Sequence, residues 1–343
     1  MPAVMRDAPF TLQSVAVERF PVAGAFTISR GAKTHVDVVV CTVTDGVYIG
    51  RGEGTPIYYH GETAQGCAEA ITRIATEADA FDRERLRAIM PSGAARNALD
   101  CALWDLESQR TGRPVWALAG LEAPRPLRTA YTISLDAPEA MAAAAARARG
   151  RGFTLLKCKL TGEGDEERIA AVRQGAPDAQ LIVDANESWA AADVATRAEA
   201  LAGLGVALIE QPLPTRRDDM LAGVTLTVPL CADESCQNLG DLDRLGGYQA
   251  INIKLDKAGG LTEALAMARE ARARGLRIMV GCMLASSLGI APAFLLAQYA
   301  DWVDLDGALL LAQDRDEPLI VEDGSLRWSK LWGAGAVIKS LPN

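Results

Sequence analysis

The sequence lacks an excess of positive charge. Its 343 residues contain 35 lysines and arginines against 44 aspartates and glutamates, which gives a formal net charge of -9 at pH 7. This balance argues against a nucleic-acid partner and against binding to an anionic membrane surface. It does not exclude an anionic small-molecule substrate, because a bound metal ion would reverse the local field.

The sequence also contains no paired cysteine motif, no signal-peptide pattern and no long apolar run. Its seven cysteines are odd in number and contain no C-x-x-C pair, which is typical of reduced, buried thiols in the cytoplasm. The first ten residues show no basic segment followed by an apolar one, so no signal peptide is predicted. No apolar run reaches the roughly 18 residues that a membrane-spanning helix requires. We therefore expect a cytoplasmic protein without a membrane partner.

The first third of the chain has a mixed pattern. Residues 15–20 and 36–44 alternate or run apolar in the manner of strands, and Asp45-Gly46 is a hairpin turn signal. Helical periodicity follows over residues 62–78 and 94–109. This order predicts a small α+β domain over residues 1–124.

From about residue 128, short apolar runs alternate with helical segments. The runs cover residues 128–133, 154–159, 180–184, 206–210, 229–233, 250–255, 277–281 and 302–306. Eight such units predict an α/β barrel rather than a doubly wound sheet. We place the barrel at residues 125–317 and expect residues 318–343 to return to the first domain.

Charged residues stand at the ends of these runs, where barrel enzymes carry their chemistry. Asp184, Glu210 and Asp233 end the third, fourth and fifth runs. Neighbouring strands lie about 4.8 Å apart, so three such carboxylates can converge on one ion. Oxygen ligands with room for water and substrate favour Mg²⁺. The alternative is three separate salt bridges.

Lysines occupy two further runs. Lys157 and Lys159 end the second run, and Lys257 follows the sixth. Strands two and six oppose each other in an eight-stranded ring, so Lys159 and Lys257 are predicted to approach a central substrate from opposite faces as acid/base groups. Strand alternation puts Lys157 on the same side as Lys159. Lys157 would then hold Lys159 deprotonated by repulsion or stabilise negative charge on the substrate.

This arrangement indicates proton transfer next to a carboxylate. A metal that binds the substrate carboxylate acidifies the adjacent carbon, and the metal and a cation stabilise the resulting enediolate. Two opposed bases allow removal on one face and return on the other, which favours a racemase or epimerase. Asp304 and Asp306 on the eighth run would suit a cationic group such as an α-amino group. Alternatively, they are solvent-facing charges on the barrel rim.

Five motifs in order resemble the enolase superfamily, muconate-lactonizing subgroup, over nearly the whole chain. They are Lys-Cys-Lys at 157–159, Val-Asp-Ala-Asn at 183–186, Ile-Glu-Gln-Pro at 209–212, Ala-Asp-Glu-Ser at 232–235 and Asn-Ile-Lys-Leu-Asp-Lys-Ala-Gly-Gly at 252–260. The resemblance implies a modified TIM barrel, (β/α)7β, with an N-terminal α+β capping domain completed by the C-terminal segment. It implies Mg²⁺ on the three carboxylates, with Lys159 and Lys257 as the two acid/bases.

Within that subgroup the chain looks most like dipeptide epimerases of the L-Ala-D/L-Glu type. Asp304-Leu305-Asp306 resembles their Asp-x-Asp motif, which binds the amino terminus of the dipeptide. The loop at 26–31 resembles the capping loop that presents an arginine, here Arg30, to the glutamate side chain; a plain surface arginine is the alternative. The resemblance also implies that Thr132 and the segment from Met283 to Ser286 line the substrate pocket.

Two other functions stay open from the sequence. The first is another enzyme of the subgroup: an N-acylamino-acid racemase, an o-succinylbenzoate synthase or a cycloisomerase. Those substrates lack a free amino group, so Asp304 and Asp306 favour the dipeptide. The second is a non-catalytic binding barrel, which would have lost a metal ligand or a lysine, and none is missing. We expect a small-molecule dipeptide substrate, no nucleic acid, and association into a homo-oligomer whose size the sequence does not give.

Overall fold

The computed structural model describes residues 10–28, 31–77 and 82–335. The strands of these residues are β1 Thr11–Ile28, β2 Gly31–Thr44, β3 Ile49–Gly54, β4 Leu127–Arg128, β5 Tyr131–Ile133, β6 Leu155–Lys159, β7 Gln180–Asp184, β8 Val206–Glu210, β9 Leu230–Ala232, β10 Ala250–Lys254, β11 Arg277–Gly281, β12 Trp302–Asp304, β13 Ile320–Glu322 and β14 Ser325–Arg327. The α-helices are α1 Ala64–Glu77, α2 Arg83–Ile89, α3 Ala94–Thr111, α4 Val115–Leu118, α5 Pro138–Gly150, α6 Asp165–Gly175, α7 Val194–Gly203, α8 Leu255–Ala258, α9 Leu261–Ala273 and α10 Ser287–Ala297.

The N-terminal part is an antiparallel sheet in the order β1-β2-β3, covered by helices. Asp45 forms the predicted hairpin turn by accepting hydrogen bonds from the backbone N–H groups of Val47 and Tyr48. The sequence predicted both long strands, but each begins before its predicted start. It did not predict the short helix α2, which Asp82 caps by accepting from the N–H of Arg85.

Three alternating glycines explain how α3 lies directly on strand β3. A Cβ added at Gly50, Gly52 or Gly54 would stand 2.1 to 2.2 Å from a main-chain oxygen of α3. Real side chains do not approach that closely, so only glycine allows the helix backbone to touch the strand. The oxygens belong to residues four apart in α3, as one face of a helix requires: Ala94, Ala98 and Ala102.

We expect Gly52→Ala to lower the free energy of unfolding by about 2 to 3 kcal/mol, because the added methyl group overpacks a backbone contact that cannot relax cheaply. Urea denaturation followed by circular dichroism measures the change. Gly150→Ala is the matched control, since its Cβ meets no atom within 4 Å. A Gly52→Ala protein as stable as this control would contradict the close-packing account.

The larger part is a barrel of eight parallel strands in the order β5 to β12. The N–H of Ala130 donates to the carbonyl of Val303 at 2.8 Å, which links the first and last strands. The predicted bounds of three strands, β7, β8 and β11, match the structure. The first predicted run was too long, because residues 127–128 pair with β14 in a separate sheet rather than with the barrel.

One inward residue from or beside each barrel strand fills the interior. These residues form one buried cluster: Ala130, Leu155, Ile182, Leu208, Cys231, Ala250, Met279 and Trp302. Because strand side chains alternate, Lys157 and Lys159 face the same interior as Leu155, two and four residues further along β6. Cys158 faces outward into the layer between barrel and helices, as predicted. The apolar core of the barrel therefore ends where a layer of buried charged side chains begins, which we call the charged layer; it includes Lys157, Asp184 and Glu210.

The C-terminal segment contacts both parts of the molecule. Strands β13 and β14 form a hairpin that pairs with β4. The indole N–H of Trp332 then donates to the carbonyls of Arg51 and Cys101 in the N-terminal part. The predicted α/β barrel with an α+β cap is confirmed, while the domain boundaries at 124/125 and 317/318 stay predictions.

The structure also describes the apolar helices and the cysteines. Among the residues described, helices are too short or too polar to cross a membrane. All seven cysteines are unpaired, and six of them are buried.

Candidate active site

Three carboxylates converge at the carboxyl ends of adjacent barrel strands. Asp184 ends β7, Glu210 ends β8 and Asp233 directly follows β9. One oxygen from each lies within 4.8 Å of the others, and all three residues are buried. Parallel strands in register bring these ends together, as the pairing of Asp184 with Glu210 shows. The predicted cluster of carboxylates is therefore formed.

The electrostatics of this cluster suit a bound cation, in addition to the lysines that pair with it. Burial and the charge of Asp184 raise the pKa of Glu210 to about 8. Burial alone would also raise the pKa of Asp184, but the ammonium groups of Lys159 and Lys157 lower it below its usual range. Three oxygen donors in a buried, electron-rich site fit a hard divalent ion, and Mg²⁺ best matches few protein ligands with space for substrate. The residues present thus fit the predicted Mg²⁺.

Lys157 is a fixed cation at the centre of the charged layer. Its Nζ lies 2.7 Å from Glu210 Oε2, 2.8 Å from Asp304 Oδ2 and 3.2 Å from Asp184 Oδ2. Burial would lower the pKa of this amine, but the surrounding carboxylates raise it well above its usual value. Both predicted roles of Lys157 need a protonated amine, and its surroundings keep it protonated.

Two lysines face one cavity from opposite sides of the barrel. Lys159 ends β6, the second strand, and its Nζ lies 2.6 Å from Asp184 Oδ2. Lys254 ends β10, the sixth strand, and its Nζ lies 2.6 Å from Asp233 Oδ2. Both amines line the cavity above the carboxylates. The arrangement places an amine on each face of a substrate bound between them.

The structure corrects the prediction that Lys257 is the second cavity lysine. Lys257 lies in α8, beyond the strand, and its side chain is 0% exposed. Its ammonium group donates to the carboxylate of Asp233 and to the carbonyls of Cys236 and Asn252. It does not line the cavity, because the helical turn after β10 directs it beneath the loop that follows β9. Lys254 occupies the place that the sequence analysis gave to Lys257.

A signal for Lys254 was present in the sequence. Ala250 faces the barrel core, and Asn252 donates to Glu210 Oε1 at 2.8 Å in the layer above it. Strand alternation from Ala250 therefore directs residues 252 and 254 inward. The alternation that directs Lys157 and Lys159 inward on the second run thus directs Lys254 inward on the sixth.

The cavity lies between the barrel mouth and the N-terminal sheet. Of the predicted pocket residues, Thr132, Met283, Asp304 and Asp306 line it. The prediction for Ser286 is wrong, because Ser286 caps α10 and its hydroxyl contacts the buried carboxylate of Glu53. Arg30 lies outside the described residues, so its predicted role stays a prediction.

The N-terminal sheet supplies cavity residues that the sequence analysis did not identify. The cavity is lined by Phe26 from β1, by Lys33 from β2, and by Tyr58 and Tyr59 from the helical turn after β3. The neighbouring His60 is exposed and does not line the cavity. No local pattern marks Lys33 in the sequence, because only the packing of the sheet over the barrel brings it to the cavity.

Asp304 and Asp306 form an acidic pair on the cavity wall beside the first strand. Asp306 accepts a 2.6 Å hydrogen bond from the N–H of Thr132, and burial together with the charge of Asp304 raises the pKa of Asp306 to about 7. Asp304 uses Oδ2 to contact Lys157. Its Oδ1 is buried without a hydrogen-bond partner among the described residues, which leaves one acceptor for a ligand.

Comparison with known proteins agrees with this geometry. Residues 140–340 match the family described as "Enolase C-terminal domain-like". Residues 11–120 match "Mandelate racemase / muconate lactonizing enzyme, N-terminal domain". The chain belongs to this family of the enolase superfamily. The resemblance inferred from five short motifs is thereby confirmed, and so is the capped barrel that it implied.

Two relatives share more than two fifths of their residues with this chain. An L-Ala-D/L-Glu epimerase from Escherichia coli K12 is 43% identical over 311 residues, which cover 90% of this chain and 97% of the relative. An N-acetyl-D-glutamate racemase from a Pseudoalteromonas species is 41% identical, with coverage of 86% and 95%. The chain is therefore similar along nearly its full length to enzymes that invert a stereocentre.

Solved structures give the same assignment. An enolase family member from Agrobacterium tumefaciens, with bound sodium and L-Ala-L-Glu, is 49% identical with a TM-score of 0.91 and coverage of 95% of this chain and 100% of that one. A dipeptide epimerase from Enterococcus faecalis, complexed with Mg and L-Leu-L-Tyr, is 29% identical with a TM-score of 0.88 and coverage of 95% and 99%. The donor set and this Mg-bearing neighbour support the predicted cofactor.

Proposed function

We propose that this protein is an Mg²⁺-dependent epimerase that inverts the α-carbon of the second residue in dipeptides such as L-Ala-L-Glu. The observation that carries the proposal is the pair of amines on opposite sides of one cavity, Lys159 and Lys254, above three clustered carboxylates. The similarity to dipeptide epimerases over most of the chain supports it.

The two lysines would perform a 1,1-proton transfer. One amine removes the α-proton from its face of the substrate, and the opposite ammonium returns a proton to the other face, which inverts the carbon. Mg²⁺, when bound to Asp184, Glu210 and Asp233, would polarise the substrate carboxylate and make the α-proton more acidic. Lys157, held protonated by its neighbours, would stabilise the negative charge that develops on the substrate.

The acidic pair would hold the amino terminus of the dipeptide. The unpartnered Oδ1 of Asp304 is a buried acceptor, and an ammonium group would satisfy it with a charge-assisted hydrogen bond. Asp306 stands beside it on the same cavity wall. The substrate would then lie with its amino end at the eighth strand and its α-carbon between Lys159 and Lys254.

Hydrogen exchange tests the proposal directly. The purified protein, Mg²⁺ and a panel of L,L-dipeptides are incubated in D₂O, and the α-proton of the second residue is followed by NMR and mass spectrometry. We expect deuterium to enter that position while the L,D isomer appears. Absence of exchange in every dipeptide, with intact protein and saturating Mg²⁺, would overturn the proposal.

A second candidate is racemisation of an N-acylated amino acid, since one relative at 41% identity is an N-acetyl-D-glutamate racemase. In the structure, Lys157 already neutralises part of the charge of Asp304, which reduces the preference for an ammonium group. Adding N-acetyl-L-glutamate to the panel separates the two functions. A higher kcat/KM for N-acetyl-L-glutamate than for L-Ala-L-Glu would favour this candidate.

The double variant Asp304→Asn, Asp306→Asn tests the amino-terminus role. Because it removes the charges and keeps the shape, we expect kcat/KM for L-Ala-L-Glu to fall by about 100-fold or more, in the range that loss of a buried charged partner produces. Exchange of N-acetyl-L-glutamate should change much less. Circular dichroism confirms that the fold is intact, and equal losses for both substrates would contradict the assignment.

Three broader expectations belong to the same proposal. The unpaired, buried cysteines support a cytoplasmic location. Association into a homo-oligomer remains an expectation that size-exclusion chromatography with light scattering would measure. The domain limits at residues 1–124, 125–317 and 318–343 likewise stay proposals.

A further inference from the structure

The motif at residues 252–260 contains three residues that the proposed proton transfer does not use: Asp256, Gly259 and Gly260. They belong to the helical turn α8 and to the two residues that follow it. Lys254 ends β10 immediately before this turn, so the turn fixes the strand end from which its side chain projects. A single helical turn is not stable by itself, because its few hydrogen bonds do not offset the order that it imposes. Contacts from outside α8 must therefore stabilise it.

Asp256 connects α8 to the N-terminal part of the molecule. Its Oδ1 accepts 2.8 Å hydrogen bonds from the backbone N–H of Thr55, the residue after β3, and from the side-chain amide of Asn97 on α3. The residue is only 6% exposed, and burial raises the pKa of its carboxyl to about 7. Hydrogen bonds are stronger in such an environment than in water. Asp256 therefore joins the turn to both β3 and α3.

The two glycines of the motif allow α3 to lie against the end of the turn. Gly259 and Gly260 have φ angles of 81° and 114°, which only glycine adopts readily. A Cβ at Gly259 would overlap the guanidinium group of Arg96, and one at Gly260 would overlap the carboxylate of Asp100. Arg96 uses this space to donate hydrogen bonds to the carbonyls of Ala258 and Gly259. The residues after Lys254 are thus shaped to receive a helix of the N-terminal part.

The two cavity lysines differ in how their strand ends are supported. The main contacts of α3 with the barrel are with α8 and α9, which follow the sixth strand and Lys254. Lys159 on the second strand is instead followed by a loop that the barrel itself supports, since Asp165 accepts from the N–H groups of Thr161 and Gly162. A change in the contact with α3 should therefore act on Lys254 rather than on Lys159.

We propose that Asp256 is a positioning residue, through which the N-terminal part fixes the strand end that presents Lys254 to one face of the substrate. This inference rests on the proposed function and gives the N-terminal part a role in proton transfer besides covering the barrel mouth. Because Lys254 and Lys159 serve opposite faces, loss of the connection should slow proton removal from one isomer of the dipeptide. A residue that merely stabilised the fold would affect both isomers alike.

The variant Asp256→Ala removes the acceptor of both hydrogen bonds. Loss of the α-proton in D₂O is measured separately for L-Ala-L-Glu and L-Ala-D-Glu, and Lys254→Ala identifies the isomer that depends on Lys254. For that isomer we expect kcat to fall by about 10- to 100-fold, in the range that a displacement of about 1 Å produces, with KM within about threefold. For the other isomer, kcat should stay within about threefold of the unaltered protein.

Two control variants complete this comparison. Asp256→Asn keeps an oxygen that can accept both hydrogen bonds, so proton removal from the affected isomer should return to within about threefold of the unaltered protein. Asp105→Ala makes the same change at a buried aspartate of α3 that also accepts two hydrogen bonds, from the N–H groups of Arg51 and Gly333. It should affect both isomers alike. Equal losses for the two isomers in Asp256→Ala, or the same selective loss in either control, overturn the inference.

A milder variant covers the case in which Asp256→Ala does not fold. Asn97→Ala removes one of the two hydrogen bonds from the side of α3. We expect the same selectivity between the isomers with a smaller loss in kcat, about 3- to 10-fold, as one buried hydrogen bond contributes. An equal loss for both isomers in this variant also contradicts the role of Asp256.

Amide hydrogen exchange tests the connection without turnover. The N–H groups of Gly259 and Gly260 donate to the carbonyl of Leu255 and close the turn. In Asp256→Ala, peptides that span residues 255–262 should exchange at least about 10-fold faster, while peptides that span β6 stay protected. This outcome supports the connection even if no dipeptide is epimerised, which separates it from failure of the proposed function. Unchanged exchange in both peptides, or equal acceleration in both, overturns the inference.

Discussion

Lys159→Ala and Lys254→Ala should each abolish epimerisation of L-Ala-L-Glu, with a loss in kcat of about 10³-fold, as expected when a general acid or base is removed. Proton exchange should survive in a pattern that depends on the substrate isomer. Each variant keeps one amine, which can still remove the α-proton from the isomer that presents it on that face. One variant should exchange deuterium into the L,L-dipeptide and the other into the L,D-dipeptide, without inversion in either case.

This reciprocal pattern distinguishes two bases from one. If one lysine served both faces, its removal would stop exchange in both isomers, while removal of the other would stop neither. Mg²⁺ binding should survive in both variants, because neither lysine is a proposed ligand, and calorimetry measures it. Near-normal epimerisation by either variant would show that the assignment of that lysine is wrong.

Lys257→Met is the informative comparison, because it decides between the two lysines of the same motif. Lys257 neutralises Asp233 and donates to main-chain carbonyls, all in a fully buried position. Its loss leaves a buried carboxylate with one fewer cation, so we expect the free energy of unfolding to fall by about 3 to 5 kcal/mol. The protein that remains folded should still exchange deuterium into both the L,L- and the L,D-dipeptide. Loss of exchange in one isomer from a stable Lys257→Met protein would instead restore Lys257 as the base.

Asp184→Asn should remove Mg²⁺ binding and activity together. The amide oxygen can still accept the hydrogen bond that Asn186 N–H donates to Asp184 Oδ1 at 3.0 Å, so the local backbone is preserved. The amide has no charge to offer the metal, however, and its nitrogen would face the ammonium groups of Lys159 and Lys157. We expect the Kd for Mg²⁺ to rise by more than about 100-fold, since even changes beside a metal ligand alter affinity by about 10- to 100-fold.

Two readouts measure this effect. Calorimetric titration gives the Kd, and thermal unfolding gives the stabilisation by Mg²⁺, which reaches about 2.7 kcal/mol when the ion is present at 100 times its Kd. Asp178→Asn is the matched control: it makes the same chemical change at an exposed carboxylate paired with Arg149. Unaltered Mg²⁺ affinity in Asp184→Asn would show that the three carboxylates do not form the metal site.

Strand periodicity was sufficient to predict the barrel and the carboxylate cluster. Apolar runs separated by helical segments fix the order of the strands, and adjacent parallel strands must bring their carboxyl ends together. Asp184 and Glu210 end such runs and Asp233 follows one, so their convergence is a local consequence of sequence order. The same reasoning predicted that Lys157 and Lys159 share the interior face.

The error at Lys257 arose where a strand becomes a helix. Lys254 and Lys257 are three residues apart, and the predicted run continued to residue 255, whereas the strand ends at Lys254 and a helical turn begins at Leu255. Side-chain direction follows a period of 2 in a strand and 3.6 in a helix. The position of that change therefore decides which lysine reaches the cavity.

The sequence by itself determined the barrel, the order of its strands, the carboxylate cluster and the lysines of the second strand, because these depend on periodicities within short segments. Only the tertiary structure decided the wall of the cavity formed by the N-terminal sheet. Lys33 and Tyr58 are more than a hundred residues from Lys159 in the chain, and no local pattern links them. They meet at one cavity because glycines on β3 let α3 pack against the sheet, and the assembled sheet covers the barrel mouth. Such long-range packing depends on the whole fold and is not encoded in any single segment.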